Sequence, residues 1–328
     1  MKSPESKQSS VLITGAGGYI GRLLVDALAK ERGGLANIVA ADLREIPSEE
    51  KKQEVTYVTA DVRSPKMLDI FREFRIGTVV HLASMVTPEK GFSREFLYSV
   101  DVLGTENVLN ACIETGVQKV IITSSGAAYG YYPDNPEWLT EADTLRGNPE
   151  FAYSDHKRLI EEMLARYKKE HPKLKQLIFR PGTILGATTD NQITALFQKL
   201  YILGLKGAAT PFVFIWDQDV VNCIVNGIRS DISGIFNLAG DGVLTLKEIA
   251  SLLGKPYLSL PVWLVKAALW ALSRLKLSRY GPEQVDFIRY RPVLSNHRLK
   301  DQFGYIPQKT TRQVFEYYIN KVAIDKKI

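Results

Sequence analysis

With 328 residues and a formal net charge of +6, the chain can bury a full core, enough for one large α/β unit with a smaller lobe. Its composition is that of an ordinary soluble globular protein, and no window supplies the unbroken run of about 18 apolar residues that a membrane span needs. The polar start at residues 1–8 lacks the apolar stretch of a signal peptide, and Cys112 and Cys223 sit in apolar helical patterns as buried free thiols do, so a reduced, cytoplasmic protein is expected.

Short apolar runs alternate with helical patterns along the first two-thirds of the chain. Residues 11–14 read as a strand, and 21–30 as a helix with Leu23, Leu24, Ala27 and Leu28 on one face. Strands follow at 37–41, 55–59, 78–82 and 120–124, with helices at 66–74 and 95–115. A helix at 150–170 leads into a strand at 176–180. This alternation predicts a doubly wound parallel sheet of the Rossmann type, with right-handed crossovers and helices on both faces. After Arg180-Pro181-Gly182 the pattern loosens, and 212–215, 217–228 and 235–238 restore it. The expected organisation is a dinucleotide-binding domain from 9–182 and 212–240, and a smaller substrate-binding lobe from 183–211 and 241–328. Ligands of such sheets bind at the carboxyl ends of the strands, so the two parts are expected to clasp a small-molecule substrate there.

Thr14-Gly15-Ala16-Gly17-Gly18-Tyr19-Ile20-Gly21 stands directly between the first strand and the first helix. Gly15 permits the tight turn, Gly18 lets backbone approach a pyrophosphate, and Gly21 allows helix and strand to pack closely. The backbone N–H groups of the loop and of Tyr19 and Ile20 then face the phosphates at the positive end of the helix. Asp42 lies 21 residues beyond Gly21, at the end of the second strand. A carboxylate there accepts from the adenine-side ribose hydroxyls and repels a 2′-phosphate, which predicts NAD rather than NADP, although Arg44 two residues on can serve the extra phosphate. Asp61 and Val62 close the third strand, where the carboxylate can meet the adenine amino group and the valine its ring. Asp61 can equally cap the helix beginning near Pro65. Leu82-Ala83-Ser84 follows the fourth strand, and these small residues give the cofactor room to cross.

Tyr153 and Lys157 stand four residues apart, on one face of the helix at 150–170. A phenol near its ordinary pKa of about 10 is a poor acid–base catalyst at neutral pH. The Lys157 charge favours the phenolate, and its ammonium can also hold the nicotinamide ribose. Ser125, at the end of the fifth strand, can hydrogen-bond a substrate oxygen and turn it toward Tyr153. A Tyr–Lys pair at this spacing is common on ordinary helices; its order after a cradle and a strand-end Ser is what points to chemistry.

These residues, together with His81-Leu82-Ala83, Gly104-Thr105, Ser124-Ser125-Gly126-Ala127-Ala128-Tyr129-Gly130 and Arg180-Pro181-Gly182, resemble the extended short-chain dehydrogenase/reductases, of the NAD-dependent epimerase/dehydratase group. The resemblance covers nearly the whole chain. It implies an NAD-dependent oxidoreductase in which Ser125, Tyr153 and Lys157 are catalytic, Pro181 lies against the cofactor, and hydride passes between nicotinamide and a secondary alcohol or ketone carbon. It also implies a homodimer through the helices at 95–115 and 150–170. Three departures stand out, the first bearing on a cofactor-side contact and the other two on the substrate. Asp101 stands where the family often has Asn. Thr183 replaces the Asn that grips a diphosphate in sugar-nucleotide members, and Gly126-Ala127 replaces the Asp-Glu of sugar dehydratases. The stretch 180–186 is closer to hydroxysteroid and flavonol-type reductases, so a substrate other than a conventional nucleotide sugar is expected, with a nucleotide-sugar epimerase as the alternative and a catalytically silent NAD-binding regulator as a remote one.

The four histidines show no metal-ligand spacing, so no metal is expected, and His81 reads as a packing or hydrogen-bonding residue. Tyr129 reads either as a substrate-mouth aromatic or as packing. From residue 262 onward there are 13 Lys/Arg against 5 Asp/Glu. A basic lobe of this kind attracts anions or is simply solvated, and nothing in it has the pattern of a nucleic-acid module. Residues 258–279 join a wide apolar stripe and two tryptophans to Lys266, Arg274, Lys276 and Arg279, which fits either core packing or a peripheral helix in a membrane interface.

Overall fold

A computed structural model of the chain describes residues 10–86, 91–275, 277 and 281–325, with 323–325 as backbone only. Five short apolar segments form adjacent parallel strands: β1 (Ser10–Thr14), β2 (Ile38–Asp42), β3 (Thr56–Thr59), β4 (Ile76–His81) and β5 (Lys119–Thr123). With β6 (Lys175–Pro181) and β7 (Gly234–Leu238) they make a seven-stranded sheet of order β7-β6-β5-β4-β1-β2-β3. The order reverses between β1 and β4, as in a doubly wound sheet. Strand β1 is buried along its whole length, which is why Val11, Leu12 and Ile13 read as a continuous apolar run without alternation.

The flanking helices are α1 (Tyr19–Lys30), α2 (Lys66–Glu73), α3 (Gly104–Thr115), α4 (Ala152–Glu170) and α5 (Asp217–Arg229). Leu12, Val39, Val79, Val120 and Ile178 from the sheet share one core with Phe71 of α2, Leu109 of α3 and Leu164 of α4. Both cysteines are buried free thiols, and burial raises the pKa of each.

The chain separates into two compact units. One takes in the described residues of Met1–Ser124, His156–Arg180 and Gln218–Ile235; the other takes in those of Ser125–Asp155, Pro181–Asp217 and Phe236–Ile328. The second has its own aromatic core, in which Phe197, Phe212, Phe214, Phe315 and Tyr318 interlock. The Phe197 and Phe315 rings meet edge to face at 5.2 Å.

Two expectations need correction. The helix at 95–115 is not continuous: Arg94–Tyr98 passes through a π-helical turn at Ser99–Leu103 before α3 begins. In that turn the Thr105 hydroxyl donates to Asp101 O at 2.5 Å, and the Asp101 side chain is drawn to neighbouring segments. The run at 212–215 does not return to the main sheet. Pro211–Phe212 pairs antiparallel with Leu244–Thr245, and Phe214–Trp216 pairs parallel with Thr183–Leu185. Gly182 diverts the chain after β6, donating from its N–H to Leu238 O at 2.9 Å, so the strand that follows meets 214–216 outside the sheet.

Candidate active site

Two positions at the turn from β1 into α1 admit only glycine. Gly15 has φ +70°, in the left-handed region, and a Cβ there would lie 2.6 Å from Ala83 N. A Cβ on Gly21 would lie 2.2 Å from Gly15 O. Both obstacles are backbone and cannot swing away. Helix α1 begins at Tyr19, two residues earlier than its apolar stripe suggests, with Gly18 as an N-cap that has no side chain to satisfy the first-turn N–H groups. The first turn carries no acidic residue, so these donors and the helix dipole suit an anion. Asp42, the last residue of β2, accepts from Gly17 N at 2.9 Å and from Arg44 N at 3.1 Å, which orients its carboxylate beside the loop. No room for a Cβ at Gly15 and Gly21, a helix start with no side-chain cap and an adjacent acid fit a dinucleotide.

Asp61 and Val62 lie just past β3. The Asp61 carboxylate forms an ion pair with the Arg63 guanidinium at 2.6 Å, which holds its carboxyl below the usual range. It does not cap α2, whose N-cap is Pro65. Val62 is buried and occupies the space that Gly104 leaves open. Leu82, Ala83 and Ser84 are half-buried after β4, and Leu82 N donates to Thr14 O at 3.1 Å.

His81 is buried between the Thr14 hydroxyl at 2.7 Å and the Thr105 hydroxyl at 3.0 Å. Burial, aided by the Lys157 charge, pushes its pKa down to about 3, so it is a neutral structural imidazole. Among the described residues, no cluster of His, Cys, Asp or Glu could hold a metal ion.

Helix α4 carries Tyr153 in its first turn, half-buried, and Lys157 one turn on, buried. The Lys157 ammonium donates to Thr123 O, at the end of β5, at 3.0 Å. Burial lowers the Lys157 pKa, against the opposing pull of Asp101 and Glu161. Ser125 is buried two residues past β5 and caps a single 3-10 turn at Gly126–Tyr129, its Oγ accepting from Ala127 N at 3.1 Å. A hydroxyl that accepts in this way still has its own proton to donate. Tyr129 is fully buried, its hydroxyl 2.8 Å from Thr140 O and 2.9 Å from Asn237 Oδ1, and it packs in a separate apolar cluster of the second unit with Leu139, Val213 and Leu294.

Several groups around these residues carry no local sequence signal. Asp101 accepts from Met85 N at 2.8 Å and from the Ser84 hydroxyl at 3.1 Å, and its other oxygen faces His156 Nδ1 at 3.0 Å. Glu161, on α4, holds Arg180 of the Arg-Pro-Gly motif in a buried ion pair at 2.6 Å and accepts from the Ser124 hydroxyl at 2.5 Å. In the second unit, Arg291 donates to the Thr183 hydroxyl at 3.1 Å and stacks over the Phe212 ring at 4.1 Å. Pro181, the last residue of β6, opens the second segment of that unit.

Comparison with known proteins accords with this architecture. The chain is 31% identical over 179 residues to a UDP-glucose 4-epimerase of Azospirillum brasilense, a match covering 54% of this chain and 49% of that protein. It is 24% identical over 316 residues to an uncharacterised protein of Mycobacterium tuberculosis, covering 94% and 82%. Among solved structures, the UDP-glucose 4-epimerase of Thermotoga maritima with UDP-glucose superposes with a TM-score of 0.75 at 18% identity, covering 97% of this chain and 99% of that one. The UDP-glucose 4-epimerase of Thermus thermophilus with NAD superposes with a TM-score of 0.71 at 23% identity, covering 96% and 99%. A family model described as the NAD dependent epimerase/dehydratase family matches residues 11–237, and the chain belongs to that family.

Proposed function

We propose that this chain is an NAD-dependent oxidoreductase that moves hydride between nicotinamide and a carbon bearing a secondary alcohol or ketone oxygen. The observation that carries the reading is α4, which presents a half-buried phenol at Tyr153 and, one turn later, the buried ammonium of Lys157. The loop at Gly15, Gly18 and Gly21 would hold the pyrophosphate, and Asp42 the adenine ribose. NAD, when bound, accepts or supplies the hydride. Tyr153 exchanges the proton with the substrate oxygen, Ser125 donates a hydrogen bond that fixes that oxygen, and the Lys157 charge favours the phenolate. Family membership and NAD-bound structural neighbours support the cofactor assignment.

A second reading, a nucleotide-sugar epimerase, is favoured by Arg291 and by the curated relatives. Among the described residues Arg291 is paired with no carboxylate, and it sits against Thr183, the position where sugar-nucleotide members of the family grip a diphosphate. The two readings separate by thermal shift of the NAD-loaded protein. A ligand at a hundred times its dissociation constant stabilises the native state by ~2.7 kcal/mol. Stabilisation by apolar secondary alcohols or ketones supports the first reading. A shift from UDP- or dTDP-sugars alone, lost in Arg291→Met, reverses the order.

A further inference from the structure

One part of the second unit is built unlike the rest of the molecule. Helix Val262–Arg274 has no buried residue along its thirteen positions. Its half-buried side is formed by Val262, Val265, Lys266 and Leu269, and the Lys266–Asp286 ion pair at 2.8 Å ties it down. The outward side is the more apolar of the two. Trp263 is 70% exposed and Trp270 55%, with Leu264, Leu272 and Leu275 also exposed, and Arg274 is the single charge in that exposed set. Pro261, the helix N-cap, joins it to strand Tyr257–Leu260, which pairs in parallel with Ile202–Leu205. In that ribbon Leu203 and Leu258 are direct register partners, 52% and 45% exposed, and the neighbouring Leu200 and Tyr201 are exposed as well. Large apolar side chains displayed together on contiguous elements mark an interaction surface.

Charge decides what the surface fits. Residues 249–282 contain no Asp or Glu and five Lys or Arg; residues 191–216 contain no Asp or Glu and two Lys. The two segments that display these exposed apolar residues are therefore both acid-free and basic. A lipid bilayer with anionic headgroups complements both properties at once: the indoles and leucines enter the headgroup boundary while the exposed Lys199, Lys206 and Arg274 meet phosphates. A thirteen-residue helix is about 20 Å long against a hydrocarbon core of about 30 Å, so it can lie in the interface plane but cannot cross. Accordingly, no described helix is long and apolar enough to span a membrane.

We propose that helix 262–274, with the Leu203–Leu258 ribbon beside it, is a peripheral docking surface for anionic membranes. This inference stands apart from the hydride chemistry, because no residue of the candidate active site takes part in it.

The test is flotation of the full chain with vesicles of phosphatidylcholine alone and of phosphatidylcholine with phosphatidylglycerol, at low and high salt, with tryptophan emission recorded in parallel. The chain should float with the anionic vesicles, less so at high salt, and its emission should shift to the blue. Trp263→Ser combined with Trp270→Ser should lower the partition coefficient by about tenfold or more, while circular dichroism and NAD-induced thermal stabilisation stay at wild-type values. Arg274→Glu should weaken binding to the anionic vesicles alone. Failure of the wild-type chain to float with anionic vesicles would overturn the proposal, as would undiminished binding by the serine pair. Self-association that depends on the two tryptophans, without flotation, would overturn it in favour of a second copy of the chain.

Discussion

Asp101, in the π turn at Ser99–Leu103, and His156, on the helix α4 that also carries Lys157, form a buried pair 3.0 Å apart, 55 positions distant in sequence. Burial alone would raise the Asp101 carboxyl. The hydrogen bond from His156, the Lys157 charge and the Met85 N–H outweigh it and hold Asp101 below its ordinary range. An ionised Asp101 requires the proton on His156 Nδ1, and the buried Nε2 then has no hydrogen-bond partner among the described residues. The carboxylate thus fixes three neighbours and places a negative charge near Lys157.

Replacing Asp101 by Leu leaves Met85 N, the Ser84 hydroxyl and His156 without their acceptor. Stability in urea should fall by about 3 kcal/mol. Asp101→Asn keeps an acceptor oxygen and should cost about 1 kcal/mol. Equal losses in the two variants would show that the charge and the acceptors do not contribute as described.

His81 gives a pH dependence of known sign. Its folded pKa of about 3 lies below the ordinary value of 6.5. Above pH 6.5 the imidazole is neutral in both states and its contribution is complete. As pH falls from 6.5 toward 3, the unfolded chain takes up a proton that the folded chain refuses, and stability declines by up to about 1.4 kcal/mol per pH unit. Urea midpoints of His81→Asn across that range should show a shallower decline than wild type; parallel curves would contradict the assignment.

Gly21→Ala places a methyl against Gly15 O and the Ala16 backbone. The first turn of α1 must shift, so NAD affinity should fall by at least about tenfold in calorimetric titration, a cost of about 1.4 kcal/mol. Unchanged affinity would remove the loop from the cofactor site. Asp42→Ala should narrow the preference for NAD over NADP, and a wild-type preference for NADP would transfer the role to Arg44.

What the sequence made legible was local. Gly15, Gly18, Gly21 and Asp42 lie within one strand–helix–strand unit, and Tyr153 and Lys157 within two helical turns, so spacing alone places them on their elements. Pairings across long separations left no pattern to read: His156 finds Asp101, 55 positions away, and Arg291 finds Thr183, 108 positions away. The π turn at Ser99–Leu103 was hidden because one extra residue per turn barely disturbs the apolar periodicity of a long helix. At 212–215 the apolar run predicts a strand of the main sheet, but local pattern carries no information on the partner: 214–216 pairs with 183–185 and 211–212 with 244–245.

The central claim, that Tyr153 handles the proton of an NAD-coupled hydride transfer, is tested most directly by Tyr153→Phe. Once a substrate from the alcohol, ketone or nucleotide-sugar panel is in hand, turnover and NAD affinity are measured on the same preparations of wild type and variant. The account predicts a loss of turnover of about 10²–10⁴-fold with NAD affinity nearly unchanged, while Lys157→Met weakens both. Near-normal turnover by Tyr153→Phe would contradict it.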